Sequence, residues 1–139
     1  MSGIEGGCYC GAIRYRLNGP IVGTAACHCR KCQYGSGGAA NHSALVAREA
    51  FELLTGTPVA HVSEADSGAN VTRAFCGACG TPLYSDTPTL PFRAIRVGSL
   101  DDPAALAPAV HIWMEAAPAW HLTEPGAVCF MQGPGSRRL

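Results

Sequence analysis

Seven of the eight cysteines in this chain fall into three short clusters, and their spacing is typical of metal ligands. The clusters are Cys8-x-Cys10, Cys27-x-Cys29-x-x-Cys32 and Cys76-x-x-Cys79. Thiolates are soft ligands that bind zinc, and a closed structural zinc site takes four ligands in a tetrahedron. The sequence therefore predicts zinc chemistry and raises the question of which cysteines share an ion.

The first and third clusters together supply the four thiolates of a closed structural site. A C-x-x-C pair followed by Gly80 is typical of a zinc knuckle, in which a tight turn lets two thiolates share one ion. Residues two apart on a flat strand lie roughly 6–7 Å apart, whereas the sulfurs around zinc lie roughly 3.8 Å apart. The chain must therefore bend at Tyr9, and the nearby glycines Gly6, Gly7 and Gly11 favour such a bend. The alternative, in which these are reduced cysteines packed as small apolar side chains, explains neither the spacing nor the glycines.

The middle cluster, in the segment ACHCRKCQ, has three thiols and no obvious local fourth ligand. Catalytic zinc keeps three protein ligands and leaves one position to water or substrate, and a thiolate-rich site suits a sulfur ligand. Two alternatives stay open: a remote histidine completes a second structural site, or the site is empty and two thiols form a disulfide. If the segment is extended, the side chain of His28 points away from the metal. The remote candidates are His42, His61, His111 and His121.

The elements that must position these cysteines are short strands. The segment AIRYRL (Ala12 to Leu17) alternates apolar and basic residues, which predicts a half-buried strand. Further strands are predicted in PIVGTAA, NHSALV, VAHVS, NVTRAF, PLYS, FRAIRVG and AVHIW, between turn signals rich in glycine and proline. A single helical turn is predicted near Arg48 to Phe51, and a short helix at Asp102-Pro103. We expect one all-β domain of short antiparallel strands over residues 1–139, with a loose tail at 133–139.

Charge and hydropathy restrict the partners. The formal net charge is zero and no block of like charge is present, which argues against nucleic acid or an anionic membrane surface. The N-terminus resembles no signal peptide, and no apolar run reaches the roughly 20 residues that span a bilayer. We therefore expect a cytoplasmic protein, in which thiols stay reduced and clustered cysteines serve as metal ligands.

Several segments, in order from about Gly6 to Trp120, resemble the glutathione-dependent formaldehyde-activating enzyme family, which also includes centromere protein V. They are GGCYCGAIRYRLNGP, CHCRKCQYGSG, REAFELLTG, FCGACGTPLYS, VGSLDDP and HIWMEAAPAW. The resemblance implies a β-tent fold, in which zinc joins antiparallel sheets. It implies that the structural zinc is held by Cys8, Cys10, Cys76 and Cys79, and that the second, catalytic metal site is formed by Cys27, Cys29 and Cys32. Members often carry an aromatic residue after the glycine-rich segment, where this chain reads GGAANHS.

The resemblance also implies an activity, the joining of formaldehyde to the glutathione thiol to give S-hydroxymethylglutathione, which is a carbon–sulfur lyase reaction. Zinc is then the cofactor, glutathione the co-substrate, and a small thiol and a small aldehyde are the partners. We expect substrate contacts from Arg30, Lys31, Ser36 and Gly37, although the two cations would also offset the charge of a thiolate site whatever its function. Trp113 and Trp120 are either core residues or walls of a pocket.

Two other function classes remain open at this point. One is a non-catalytic zinc-binding or scaffold module of the same fold, as the centromere-protein branch illustrates. The chain carries no basic or proline-rich extension, which argues against a nucleic-acid or cytoskeletal scaffold. The other is a thiol–disulfide or methionine-sulfoxide reductase, which needs a reactive cysteine outside the metal clusters. Cys129 is the candidate, and its apolar neighbours argue against a low thiol pKa.

Overall fold

Two β-sheets, one short α-helix and three 3-10 turns make up the computed structural model over its described residues, 3–65 and 67–139. The strands are β1 (Ile4–Gly7), β2 (Arg14–Leu17), β3 (Ile21–Cys27), β4 (Asn41–Ala47), β5 (Phe51–Thr55), β6 (Val59–Glu64), β7 (Asn70–Phe75), β8 (Pro82–Asp86), β9 (Phe92–Arg96), β10 (Val110–Ile112) and β11 (Val128–Cys129). The helix is α1 (Arg30–Ser36), and the 3-10 turns are Arg48–Ala50, Val97–Ser99 and Met114–Ala116.

The smaller sheet has the strand order β1-β2-β5, and the larger has the order β11-β10-β3-β4-β9-β8-β7-β6. The predicted all-β class of short strands is confirmed, as is the single turn at Arg48–Ala50. The expectation of antiparallel pairing holds for most of the sheet, but β10 runs parallel to both of its neighbours, β3 and β11. Residues 113–127 between β10 and β11 are long enough for the crossover that parallel neighbours need.

The core lies between the two sheets. Apolar and basic residues alternate along β2, which explains why one face of this strand is buried in the core. Tyr15 and Leu17 are almost completely buried, and they pack in one cluster with Val46, Leu83 and Ile95 of the larger sheet. Burial of each such side chain stabilises the fold by about 1.5–3 kcal/mol. The Tyr15 hydroxyl is satisfied by Ser99 Oγ at 2.6 Å. Cys8 and Cys76 belong to the same cluster, so the core reaches directly to the first group of cysteines.

The helix α1 was not predicted, and its caps explain why it forms. Cys29 is the N-cap residue, and its Sγ accepts a hydrogen bond from the Cys32 N–H at 3.3 Å. Gly37 ends the helix in the left-handed conformation, with φ 83°. The glycine pair after a polar stretch was the sequence signal for this end. No helix in the described part of the chain is long and apolar enough to cross a membrane.

The helix predicted at Asp102-Pro103 is wrong. The Asp102 carboxylate accepts one hydrogen bond from the Ala104 N–H, at 3.2 Å, and the Leu106 N–H closes a single turn on Pro103 O at 3.1 Å. The chain then extends towards β10, because Pro108 cannot donate a helical hydrogen bond.

The tail at 133–139, which we expected to be loose, folds back along β11. The Met131 N–H donates to Arg137 O at 2.8 Å, and the Leu139 N–H donates to Cys129 O at 3.0 Å. The reason is that β11 lies at the edge of the larger sheet, and a strand edge presents unpaired backbone groups that another segment satisfies. Cys129 itself is half-buried.

Candidate metal centres and the adjoining cavity

The first and third cysteine clusters meet in space. The sulfurs of Cys8, Cys10, Cys76 and Cys79 all lie within 4.8 Å of one another. Cys10 Sγ is 3.5 Å from Cys8 Sγ and 3.8 Å from Cys76 Sγ. Tetrahedral zinc with bonds of about 2.3 Å places its sulfurs about 3.8 Å apart. The four donors are soft thiolates at the right spacing, so the group fits zinc.

The chain bends at Tyr9, as the C-x-C spacing requires. The Gly11 N–H donates to Cys8 O at 3.1 Å and closes a tight turn, and Gly11 has φ 82°. Most residues avoid this left-handed region, which glycine enters without strain. The Ile13 N–H donates to Cys8 Sγ at 3.2 Å. A backbone N–H directed at a sulfur stabilises its thiolate form, as a metal ligand requires.

The second turn of this centre has the same design. The Gly80 N–H donates to Cys76 O at 2.8 Å, Gly80 has φ 80°, and the Cys79 N–H lies 3.5 Å from Cys76 Sγ. Hydrogen bonds from the hydroxyl and the backbone N–H of Thr81 lower the pKa of Cys79 to about 5. The Thr81 hydroxyl oxygen also accepts the Tyr9 N–H at 3.0 Å, which joins the two turns directly.

The middle cluster forms a second group, in which the sulfurs of Cys27, Cys29 and Cys32 lie within 4.8 Å of one another. Cys27 ends β3, Cys29 caps α1 and Cys32 lies in its first turn. Hydrogen bonds from the Cys27 and Cys29 thiols, together with the nearby charge of Arg96, lower the pKa of Cys32 to about 2. No histidine or carboxylate of residues 3–65 and 67–139 joins this group. Three soft donors at this spacing also fit zinc.

His28 does not belong to the cysteine group, and its buried side chain lies in the middle of a chain of three histidines. Its Nδ1 is 2.9 Å from His121 Nδ1, and its Nε2 is 2.9 Å from His111 Nδ1. At one end of the chain, His111 Nε2 is 3.0 Å from a Glu124 carboxylate oxygen. At the other end, His121 Nε2 is 2.7 Å from Gly38 O. Two histidines that we considered as remote metal ligands are therefore bound to His28 instead.

The number of protons in this chain of histidines follows from the groups at its two ends. Both ends are acceptors, so the four hydrogen bonds need four N–H protons, whereas three neutral imidazoles carry three. Full satisfaction therefore requires one additional proton. Burial lowers the pKa of His28 to about 4, which disfavours the charged form of this imidazole. Hydrogen bonds from its own backbone N–H and from His111 lower the pKa of Glu124, which supplies the balancing negative charge.

Gln33 also holds the loop that carries His28 and the three cysteines in place. Its side-chain amide donates to His28 O at 2.9 Å and to Ala116 O at 3.1 Å, and Arg30 donates to its side-chain oxygen. The loop that carries the three cysteines is thus held by contacts of the protein with itself. Neither Gln33 nor the histidine chain was identified from the sequence, because Ala116 lies more than eighty positions from Gln33, and His111 lies as far from His28.

We expect His111→Leu to lower the free energy of unfolding of the zinc-loaded protein by about 1–3 kcal/mol. The reason is that the substitution leaves the buried His28 Nε2 without a partner. Urea denaturation at fixed free zinc measures the effect. His42→Leu is the matched control, because His42 lies exposed on the nearby strand β4 and outside the chain, and we expect a change within about 0.5 kcal/mol. Equal effects of the two substitutions would contradict this role.

The three-cysteine group opens into a cavity of about 690 Å³. This volume lies within the range of ligand pockets. Apolar walls come from Leu45, Phe92, Ala94, Ile112 and Trp113. A second cavity of about 490 Å³ adjoins the first, and four residues line both: Lys31, Asn41, Arg73 and Arg96.

Of the residues predicted to contact substrate, the structure places Lys31 in the walls of both cavities. Arg30 lies over the Tyr34 ring, 4.9 Å from its centroid, and is absent from the described cavity walls. Ser36 donates to Ala39 O and Gly37 caps α1, so both serve the end of the helix.

The cations that the sequence missed are Arg73 in β7 and Arg96 in β9. Arg96 donates to Ser43 Oγ at 2.6 Å, and Arg73 donates to Ser63 Oγ at 2.8 Å. Each sits in a strand segment (NVTRAF and FRAIRVG) far along the chain from the middle cysteines, and only the sheet brings them together.

The two tryptophans have different roles. Trp113 is half-buried and forms part of the cavity wall, whereas Trp120 is 66% exposed. Trp113 also has φ 59°, the one positive φ at a non-glycine residue in the described chain. This strained conformation is held by the hydrogen bond from the Trp113 N–H to Gln132 O at 2.9 Å. The tail after β11 thus fixes one wall of the cavity.

The fold and the site define a β-sheet domain with two cysteine groups that fit zinc, one of them open to a cavity. The sequence matches the model of the glutathione-dependent formaldehyde-activating enzyme family over residues 3–116, and the chain belongs to this family. The family is enzymatic in general, and it supports a role in thiol-dependent aldehyde chemistry. His121 and Glu124 lie outside the matched range.

A crystal structure of a Rhodobacter sphaeroides protein has a similar fold, with a TM-score of 0.57 and 18% sequence identity. The similarity covers 75% of this chain and 95% of that chain. At this level of identity the likeness shows the fold alone. No curated protein matches the sequence significantly.

Proposed function

We propose that this protein joins a small thiol of the glutathione type to a small aldehyde, and so acts as a zinc-dependent carbon–sulfur lyase. The observation that carries the proposal is the position of Cys27, Cys29 and Cys32 in the wall of a cavity of about 690 Å³. No fourth ligand comes from the described residues, so the site has room for a substrate sulfur. A reducing compartment such as the cytoplasm would keep these thiols available.

The proposed reaction is balanced without any further reagent. The substrate sulfur forms a bond to the carbonyl carbon, the C=O π bond opens onto oxygen, and the proton released by the thiol ends on that oxygen. Zinc held by the three cysteines would lower the pKa of a thiol and supply a thiolate at neutral pH. Arg96 lies close enough to the cysteines to affect their pKa, and its charge stabilises the negative charge that moves from sulfur to oxygen.

A proton donor is available in the cavity wall. Ser36 and His28 have their hydrogen bonds elsewhere, and His42 is absent from the described walls. Ser43 lines the cavity and accepts a hydrogen bond from Arg96 at 2.6 Å, which leaves its own O–H to donate to the substrate oxygen. We therefore propose that Ser43 passes the proton, with Arg96 holding its oxygen in place.

The cavity also favours an enzyme over the non-catalytic scaffold. A structural zinc module is closed by four protein ligands, whereas here a three-ligand group faces a space of ligand size. A scaffold of this fold needs neither the cavity nor cations in its walls.

The proposal is tested by exchange NMR with ¹³C-formaldehyde and glutathione. The adduct also forms without a catalyst, so the measured quantity is the rate of exchange between formaldehyde and S-hydroxymethylglutathione. We expect this rate to rise in proportion to the concentration of zinc-loaded protein. Free zinc at the same concentration is the control. An exchange rate that is unchanged by the protein, for glutathione and for other small thiols and aldehydes, would overturn the proposed function.

A further inference from the structure

We propose that Arg73, with Arg96 beside it, forms a carboxylate-binding subsite that selects an anionic thiol. The inference rests on the proposed function for the identity of the thiol, but the subsite itself is argued from the cavity walls. Arg73 and Arg96 line both cavities, so they lie where the cavity of the three cysteines meets the second cavity. A ligand with its sulfur at the cysteines therefore passes these two guanidinium groups.

Arg73 differs from the other arginines of the fold in its partners. Each of Arg14, Arg16, Arg48 and Arg93 pairs with a carboxylate of Glu5, Asp86 or Asp101. Within the described residues, the Arg73 side chain makes one hydrogen bond, to Ser63 Oγ, and its buried Nε has no partner. Arg93 Nε also lacks a partner, but its charge is compensated by Asp86 at 3.0 Å.

A buried donor without an acceptor is costly, and a charged donor is more so. A guanidinium group offers five N–H donors in a planar fork that matches a carboxylate. No aspartate or glutamate of the described residues lines either cavity. In the described part of the chain, the cavity walls therefore supply cations without a carboxylate, and an anionic group of a ligand would complement them.

The two cations act on each other, and this favours an anion beside them. Burial is the main cause that lowers the pKa of Arg96, and the positive charge of Arg73 adds to it. Arg73 has no carboxylate partner among the described residues, and a bound carboxylate relieves the repulsion between the two cations.

The shape of the site agrees with a peptide-like thiol that carries a carboxylate. The first cavity alone has about 690 Å³, and the adjoining one adds about 490 Å³. Together they have room for a ligand larger than a simple two-carbon thiol. The remaining walls are largely apolar, with Leu45, Val71 and Phe92, so the cations supply the polar selection.

Calorimetric titration of the zinc-loaded full chain tests the subsite with three probes: glutathione, S-methylglutathione and glutathione diethyl ester. We expect Arg73→Gln to weaken the binding of glutathione and of S-methylglutathione by about 10- to 100-fold. This is the usual effect of losing a charge-assisted hydrogen bond. The diethyl ester, which has no carboxylate, should bind wild type and variant equally. Arg137→Gln is the matched control, because it removes the same charge from an exposed position of the tail.

The outcomes separate this inference from the proposed function. S-methylglutathione has no free thiol, so its dependence on Arg73 tests the carboxylate subsite whether or not the protein activates a thiol. Unchanged binding of S-methylglutathione in Arg73→Gln, or equal wild-type affinity for glutathione and its diethyl ester, would overturn the subsite. The exchange experiment above decides the thiol reaction on its own. Equal melting temperatures of wild type and Arg73→Gln would show that the loss is not one of folding.

Discussion

A Cys76→Ala variant is expected to lose its cooperative fold, because it removes one of four ligands from a centre that joins the two sheets. Cys8 follows β1 of the smaller sheet, and Cys76 follows β7 of the larger. Structural zinc contributes about 10–16 kcal/mol to the folding of zinc-finger peptides, compared with a total stability of about 5–15 kcal/mol for a typical domain. Loss of the centre therefore leaves little to hold the fold. Circular dichroism during heating and the zinc content of the purified protein measure the effect.

The matched control for this variant is Cys129→Ala. Cys129 is half-buried, belongs to neither cysteine group and makes only a 3.7 Å contact with Ala127 O through its sulfur. We expect Cys129→Ala to change the free energy of unfolding by about 1 kcal/mol or less. A soluble Cys76→Ala protein that melts with the wild type would contradict a structural zinc at this centre. A strong chelator should reproduce the unfolding of wild type without any substitution.

A Cys29→Ser variant is expected to keep its fold and lose thiol binding. The loop around Cys29 is held by His28 and Gln33 through contacts that need no metal. Serine is chosen over alanine because Cys29 caps α1, and a serine hydroxyl can accept the same Cys32 N–H. The hydroxyl is a poor replacement for a thiolate ligand, so the zinc content should fall from about two ions per chain to about one.

Three measurements check this variant. Cobalt substitution reports the number of thiolate ligands through the intensity of the sulfur-to-metal charge-transfer bands, which should fall to that of a four-thiolate site. Titration with glutathione should lose the contribution of the free thiol, so that glutathione binds no more tightly than S-methylglutathione, and the melting temperature should stay within a few degrees of wild type. Glutathione binding as tight as that of wild type would remove the three-cysteine group from the proposed function. Unfolding of Cys29→Ser would instead make this group structural.

Local sequence patterns predicted strands and turns correctly where the pattern itself sets the backbone conformation, as an alternation of apolar residues or a glycine in a turn does. The alternation of AIRYRL predicted the buried face of β2, and the glycine after each cysteine turn predicted the bends of the first centre. Prediction failed at two short segments whose local signals were misjudged. The helix α1 depends on a cysteine acting as an N-cap, and the helix predicted at Asp102 is replaced by a turn because Pro108 follows closely.

The sequence by itself determined which chemistry is available to this protein, because the thiols and their spacing are properties of short segments. Cys76-x-x-Cys79 has the spacing of a metal knuckle whatever surrounds it. Only the tertiary structure decided what the middle cysteines face. The sheet brings Arg73 and Arg96 to one cavity and joins His28 to Glu124 through His111, across more than eighty residues of chain. Such contacts depend on strand order and register, which no local pattern encodes.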